Sequence, residues 1–159
     1  MSKKLVIVTG YFGAPIEEES RKIAEERGFA FLSLDREIEK RDGRSITRLC
    51  MMNGEHGYRN QEYEILNELN ESPDTDGLVV ACGDGVLYDD MSREIAEANE
   101  LVIVGGDLSD GELWDRAKAQ VSSYHAFMAF GSEEEKRVAF EKYLDRQRSL
   151  FEKVGGKND

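Results

Sequence analysis

Cysteine and proline are nearly absent: the 159 residues contain two of each, with two histidines and a single tryptophan. Cys50 and Cys82 are too few for a disulfide scaffold, so reduced thiols are expected. His56 and His125 do not join them at a ligand spacing, which argues against a zinc site; no metal is expected. Positive charge is also scarce. Against 33 Asp and Glu stand 21 Lys and Arg, a formal net charge of -12, which disfavours nucleic acid and anionic membrane as partners. No apolar run approaches the ~18 residues of a membrane span. The apolar strand after Met1-Ser2-Lys3-Lys4 is too short for the apolar core of a signal peptide. A cytoplasmic location is expected.

What is present is enough for one domain, large enough to bury roughly 70% of its unfolded surface. Apolar runs at Leu5–Thr9, Phe29–Leu32, Leu78–Cys82 and Leu101–Val104 lack polar alternation, as do strands covered on both faces of a parallel sheet. Helical patterns separate them at about 16–27, 35–42, 45–53, 59–71, 89–98, 110–120 and 132–153. The alternation indicates a doubly wound α/β sheet flanked by helices. Asn70–Gly77, with Ser72-Pro73-Asp74 inside it, reads as a turn. In the last helix Phe140, Leu144, Gln147, Phe151 and Val154 share one face, so Gln147 points inward. The domain is expected to span 1–154, with 155–159 a disordered tail and no further strand.

The first strand runs into Gly10-Tyr11-Phe12-Gly13-Ala14-Pro15 and a helix that opens Ile16-Glu17-Glu18-Glu19. Strand, glycine turn and helix start form the frame of a phosphate-binding loop, where amide N–H groups and the helix dipole converge. In the pattern G-x-x-x-x-G-K-[ST], lysine reaches the terminal phosphates and the hydroxyl holds magnesium. With Gly10 as the first glycine, Pro15 takes the second glycine's place, Ile16 the lysine's and Glu17 the hydroxyl's. Proline removes a donor, and the three glutamates suit a helix N-terminus while repelling a polyphosphate.

Downstream, Asp35 closes a strand at the carboxyl edge of the sheet, where open α/β folds place ligands. Arg59 has Glu62 one turn later to hold its guanidinium. A fixed Arg fork opposite an acceptor suits a small molecule with hydroxyls at one end and a carboxylate at the other. The bland alternative, of about equal weight, makes Asp35 an N-cap and Arg59–Glu62 a surface helix pair.

These residues resemble the shikimate kinase family. Its pattern F-x-D-x-D-x-x-I-E, G-x-S-I and G-E-x-x-F-R-x-x-E runs through Phe31–Glu62, and its G-G-G turn reappears as Gly83-Asp84-Gly85. The resemblance implies a P-loop-kinase-like fold, shortened at the C-terminus. It also implies that Asp35 binds ring hydroxyls and assists their deprotonation, that Arg59 anchors a substrate carboxylate, and that Glu62 orients Arg59. Arg116 matches an arginine the family packs against adenine, and 117–131 its lid.

The departures concern phosphate and acid. Besides Ile16 and Glu17, Ser33 replaces an aspartate that organises magnesium, and no arginine occurs from Ala117 to Lys136. Gln147 replaces the family's second acid-binding arginine, and Asp84 the middle glycine, where it is expected to pair with Arg59 in place of a ligand carboxylate. His56 and His125 are more readily read as solvated and inert, Cys82 as a small buried residue, and Trp114 and Phe127–Phe130 as core or lid packing. The expectation is a shikimate-kinase-like protein with impaired MgATP binding, non-catalytic or repurposed, with no cofactor and a cleft for shikimate or a similar small hydroxylated ligand. Two alternatives stand beside it. One is a functioning shikimate kinase using ATP and magnesium with Asp35 catalytic; the other is a protein-interaction module that offers Phe127–Phe130 to a partner.

Overall fold

The structure, a computed structural model, describes residues 4–72, 76–119, 125–154 and 157–158. The expected Ser72-Pro73-Asp74 turn and the centre of the lid at 120–124 fall partly or wholly outside these residues.

Five parallel strands form one sheet in the order β2-β3-β1-β4-β5: β1 Leu5–Gly10, β2 Ala30–Ser33, β3 Leu78–Ala81, β4 Glu100–Val104 and β5 Lys157–Asn158. Every residue of β1 is buried, because successive side chains enter opposite helical layers. Leu5 and Ile7 of β1, with Leu101 and Ile103 of β4, join Leu34, Ile38, Leu49, Leu66 and Ile95. Val6, Val8, Val102 and Val104 join Ala24, Leu113, Trp114, Phe140 and Leu144. The first layer comes from α2 Leu34–Asp42, α3 Ile46–Glu71 and α4 Asp90–Ala98; the second comes from α1 Ile16–Arg27, α5 Asp110–Lys118 and α6 Glu133–Val154. Two single 3-10 turns, Val86–Tyr88 and Ala126–Met128, complete the path. No helix among the described residues is long and apolar enough to cross a membrane.

Three expectations need correction. The two helices expected at 45–53 and 59–71 are both present within α3, separated at Gly54, whose φ of 76° and ψ of 169° are not helical, but the second starts directly after that break rather than at 59. One residue absorbs the break, so no loop separates the two helices. Asp35 is not an N-cap: Ser33 takes that place, its hydroxyl accepting the Arg36 N–H at 3.4 Å. Finally, a strand does follow Val154. Lys157 and Asn158 pair with Val102 and Ile103. Backbone pairing to an open strand edge needs no apolar side chain, so the polar tail carried no strand pattern.

Candidate active cleft

β1 delivers the glycine turn to the carboxyl edge of the sheet, and the amides on either side of Gly13 are engaged within the protein. Tyr11 N–H donates to the Val104 carbonyl at 3.1 Å, Ala14 N–H to Tyr11 at 2.9 Å and Ile16 N–H to Ala14 at 2.8 Å. Phe12 N–H donates to Gln147 Oε1 at 3.0 Å. Gly13 turns with φ 98° against the Leu113 backbone, and Pro15 has no N–H to give. The buried Phe12 ring stacks on His125 with centroids 3.8 Å apart. At the start of α1, Glu17 lies 3.3 Å from Arg21 and 3.5 Å from Arg36, and Glu18 lies 3.8 Å from Arg116. Arg116 also donates to the Gly13 carbonyl at 2.7 Å, so its closest partner is the loop itself.

Across the cleft stands a buried charge group. Arg59 and Glu62 are only 8% and 0% exposed, which overturns the reading of a surface helix pair. Arg59 Nη1 donates to Glu62 at 2.7 Å, while Nε and Nη2 donate to Glu55 at 3.2 and 3.1 Å. A side chain at position 85 would collide with the guanidinium, so Gly85 makes room for it. Burial pushes Glu62 up to about 7 against the opposing pull of Arg59. Asp35, in the first turn of α2, accepts the Tyr58 hydroxyl at 2.5 Å. Burial raises it to about 6; Tyr58 and Arg59 oppose the rise, while Asp84 and Glu39 add to it. Buried carboxyls near one another resist ionising together.

The third part is a polar cluster around Asp84. Three groups converge on its Oδ2: the Tyr143 hydroxyl at 2.6 Å, Gln147 Nε2 at 3.1 Å and His125 Nε2 at 3.1 Å. Gln147 also donates to the Asp84 carbonyl at 3.1 Å. The amide orientation of Gln147 is fixed because its oxygen takes the Phe12 N–H. Burial alone would raise Asp84, but His125, Tyr143 and the Arg59 charge outweigh it and hold the carboxyl below its usual value. Arg59 therefore acts on Asp84, with His125, Tyr143 and Gln147 as close partners. Thr9 Oγ1 donates to the Gly83 carbonyl at 2.8 Å and anchors the Gly83-Asp84-Gly85 turn to β1.

A cavity of about 440 Å³ opens between these groups. Gly13, Pro15, Ile16, Glu17, Asp35, Gly83, Asp84 and Arg116 all line it, with Phe12, Glu39 and His125. Gly10, Arg59, Glu62 and Gly85 are not among its lining residues. His56 is exposed, Cys82 is buried with its thiol pushed well up by burial, and Trp114 packs in the core. His125 departs from the inert reading. Tyr58 and Tyr143 carried no motif of their own; Tyr143 lies one turn before Gln147, a spacing that could have drawn attention to it. Phe130 is 82% exposed, whereas Phe127 packs on Phe12 and Tyr143. No three of the described His, Cys, Asp and Glu residues are grouped to hold a metal ion.

A sequence profile of shikimate kinase matches residues 18–151. The chain belongs to the shikimate kinase family. It is 32% identical to the shikimate kinase of Aromatoleum aromaticum over 114 residues, 72% of this chain and 63% of that protein. With the Chlorobium limicola shikimate kinase it shares 37% over 99 residues, 62% of this chain and 48% of the relative. It is also 33% identical to a bifunctional shikimate kinase/3-dehydroquinate synthase of Thermotoga maritima, over 62% of this chain and 20% of that protein. The alignments thus span less than two thirds of these relatives. The fold matches the Acinetobacter baumannii shikimate kinase in complex with shikimate, with a TM-score of 0.79 at 24% identity over 99% of this chain and 83% of that one. The Bacteroides thetaiotaomicron enzyme also gives 0.79, at 20% identity over 95% and 83%. The profile match begins at residue 18, after the glycine turn with Ile16 and Glu17.

Proposed function

We propose that this member of the shikimate kinase family is impaired in MgATP binding and is non-catalytic or repurposed, its cleft serving a small hydroxylated ligand, shikimate or a similar compound. The observation that carries this reading is the occupied glycine turn. Three of its amides, at Tyr11, Phe12 and Ala14, and the Ile16 amide at the helix start donate within the protein, and position 15 is proline. A phosphate would have to displace these bonds while facing Glu17 and Glu18. Ser33, in place of a metal-organising aspartate, caps α2 instead. Groups that neutralise a transferring phosphoryl supply several kcal/mol of barrier lowering, and each ~1.4 kcal/mol is tenfold in rate. Losing lysine, hydroxyl and cradle together removes the means of turnover. MgATP does not fit these residues.

The opposite wall supports a hydroxyl ligand. Asp35 lines the cavity half-buried, with one oxygen on Tyr58 and a pKa of about 6, so near neutral pH it accepts hydrogen bonds from a hydroxyl. The test is a thermal-shift panel of shikimate, uncharged cyclic polyols and MgATP, with an ADP-release assay on shikimate. A shift with a hydroxylated ring compound and none with MgATP is expected. ADP formed in proportion to enzyme would overturn the proposal. Silence from every ligand would turn attention to the exposed Phe130 and an interaction role.

A further inference from the structure

Tyr58 stands where the pattern G-E-x-x-F-R-x-x-E carries phenylalanine, so its hydroxyl is an addition to that pattern. The side chain is wholly buried, and a buried phenol needs a partner. That partner is Asp35 Oδ1 at 2.5 Å, which ties α3 to α2 across 23 positions of the chain. One helical turn further along α3, Glu62 feels the same hydroxyl, whose hydrogen bonding pulls it down against burial. Glu62 Oε1 accepts from Arg59, but its Oε2 is buried with no hydrogen-bond partner among the described residues. A hydroxyl has one hydrogen to give and lone pairs with which to accept. It cannot donate to two ionised carboxylates at once. With one proton on the pair it donates to the ionised member and accepts from the other, and a proton on Oε2 satisfies that oxygen.

We propose that the Tyr58 hydroxyl joins Asp35 and Glu62 into one proton-sharing unit, which passes a proton between the cavity wall and the buried Arg59 pair. The transfer needs no outside group. Protonated Asp35 gives its hydrogen to the Tyr58 oxygen as Tyr58 gives its own to Glu62, and the phenol is left unchanged. The surrounding groups leave the pair to titrate by itself. Arg59 faces both carboxyls and stays charged, Asp84 is held low and stays ionised, and Glu39 raises Asp35 from its own helix. The Cys50 and Cys82 thiols are pushed up by burial and keep their protons. A ligand hydroxyl that donates to Asp35 favours the form with the proton on Glu62. This consequence rests on the hydroxyl-binding reading of the cleft, and it makes affinity fall as the unit takes up its second proton.

The unit is tested without ligand, by NMR titration of the Asp35 and Glu62 carboxyl carbons in wild type, Tyr58→Phe and Asp35→Asn. In wild type each carbon is expected to report two steps, at about 6 and about 7. Tyr58→Phe keeps the ring and should move both steps up by about one pH unit, because the hydroxyl favours the charged forms. Asp35→Asn should leave Glu62 a single step at lower pH. Independent single steps in wild type, or steps that Tyr58→Phe leaves in place, overturn the proposal; a purely structural tyrosine would change stability and not these midpoints. If Tyr58→Phe does not fold, the wild-type curves and Asp35→Asn decide, and a Glu62 step unmoved by Asp35→Asn overturns it. The ligand arm uses myo-inositol and shikimate, expected to bind about tenfold more weakly at pH 5 than at pH 8. Equal affinity at both pH values overturns the coupling. Binding of neither compound at either pH overturns the hydroxyl-binding reading instead, and the ligand-free titration still decides the unit.

Discussion

Arg59→Met isolates the buried charge group. The substitution keeps an unbranched apolar stem and removes the cation. It deletes the 2.7 Å bond to Glu62, two bonds to Glu55 and a guanidinium 4.9 Å from the Tyr58 ring centroid. Glu55 is exposed and regains water. Glu62, at 0% exposure, cannot. Breaking one side of a buried pair typically costs about 3–5 kcal/mol, which for a domain of this size is a fall in Tm of roughly 6–20 °C. The loss should also depend on pH. Glu62 titrates near about 7, and Arg59 is what holds it down, so without the cation it takes a proton more readily and escapes part of the penalty in acid. Urea unfolding at pH 6 and pH 8 should therefore give a smaller loss at pH 6. Adding Glu62→Gln to Arg59→Met should recover part of the stability. A loss below about 1 kcal/mol, equal at both pH values, would restore the surface-pair reading and refute the argument.

Asp35→Asn should flatten the pH dependence of stability between about 4 and 6. The folded pKa of about 6 exceeds the ordinary 3.8, so this group's contribution is complete below the lower value and is lost as pH rises through the upper one. The effect is at most about 3 kcal/mol, read by urea unfolding across pH 4–8; an unchanged slope counts against a raised Asp35. Gln147→Leu removes the acceptor for the Phe12 N–H and a donor to Asp84. It should lower unfolding free energy by about 2–4 kcal/mol in chemical denaturation, and a loss under about 0.5 would deny the bridge its role. The double variant Ile16→Lys with Glu17→Thr restores the side chains of a phosphate loop but leaves its amides engaged. Calorimetry should still find no ATP binding below millimolar concentration, and micromolar affinity would show that side chains alone were missing.

The sheet was legible in the sequence because strands such as Leu5–Thr9 bury both faces and so carry unbroken apolar runs. Gln147 was legible too: helical phase puts it among Phe140, Leu144 and Phe151, and it is buried there. The break between the two helices of α3 was legible as well, at Gly54, though not that it spans a single residue, and β5 is paired through its backbone, which leaves no side-chain pattern. The burial of Arg59 and Glu62 could not be read from an i, i+3 spacing, which is the same on a surface helix and against a sheet. The Asp84 cluster was least visible. Its contacts join residues 41, 59 and 63 apart in sequence, and the Phe12–Gln147 bond spans 135. Asp84 was expected beside Arg59, and its close partners proved to include His125 and Tyr143, a loop histidine and a helix tyrosine without a motif.

The most direct test of the account is a calorimetric titration of the wild-type protein with ATP in excess magnesium. With the Tyr11, Phe12, Ala14 and Ile16 amides engaged and glutamates at the mouth, no saturable heat is expected up to millimolar nucleotide, with or without shikimate. A magnesium-dependent dissociation constant in the micromolar range, accompanied by ADP release on adding shikimate, would contradict it.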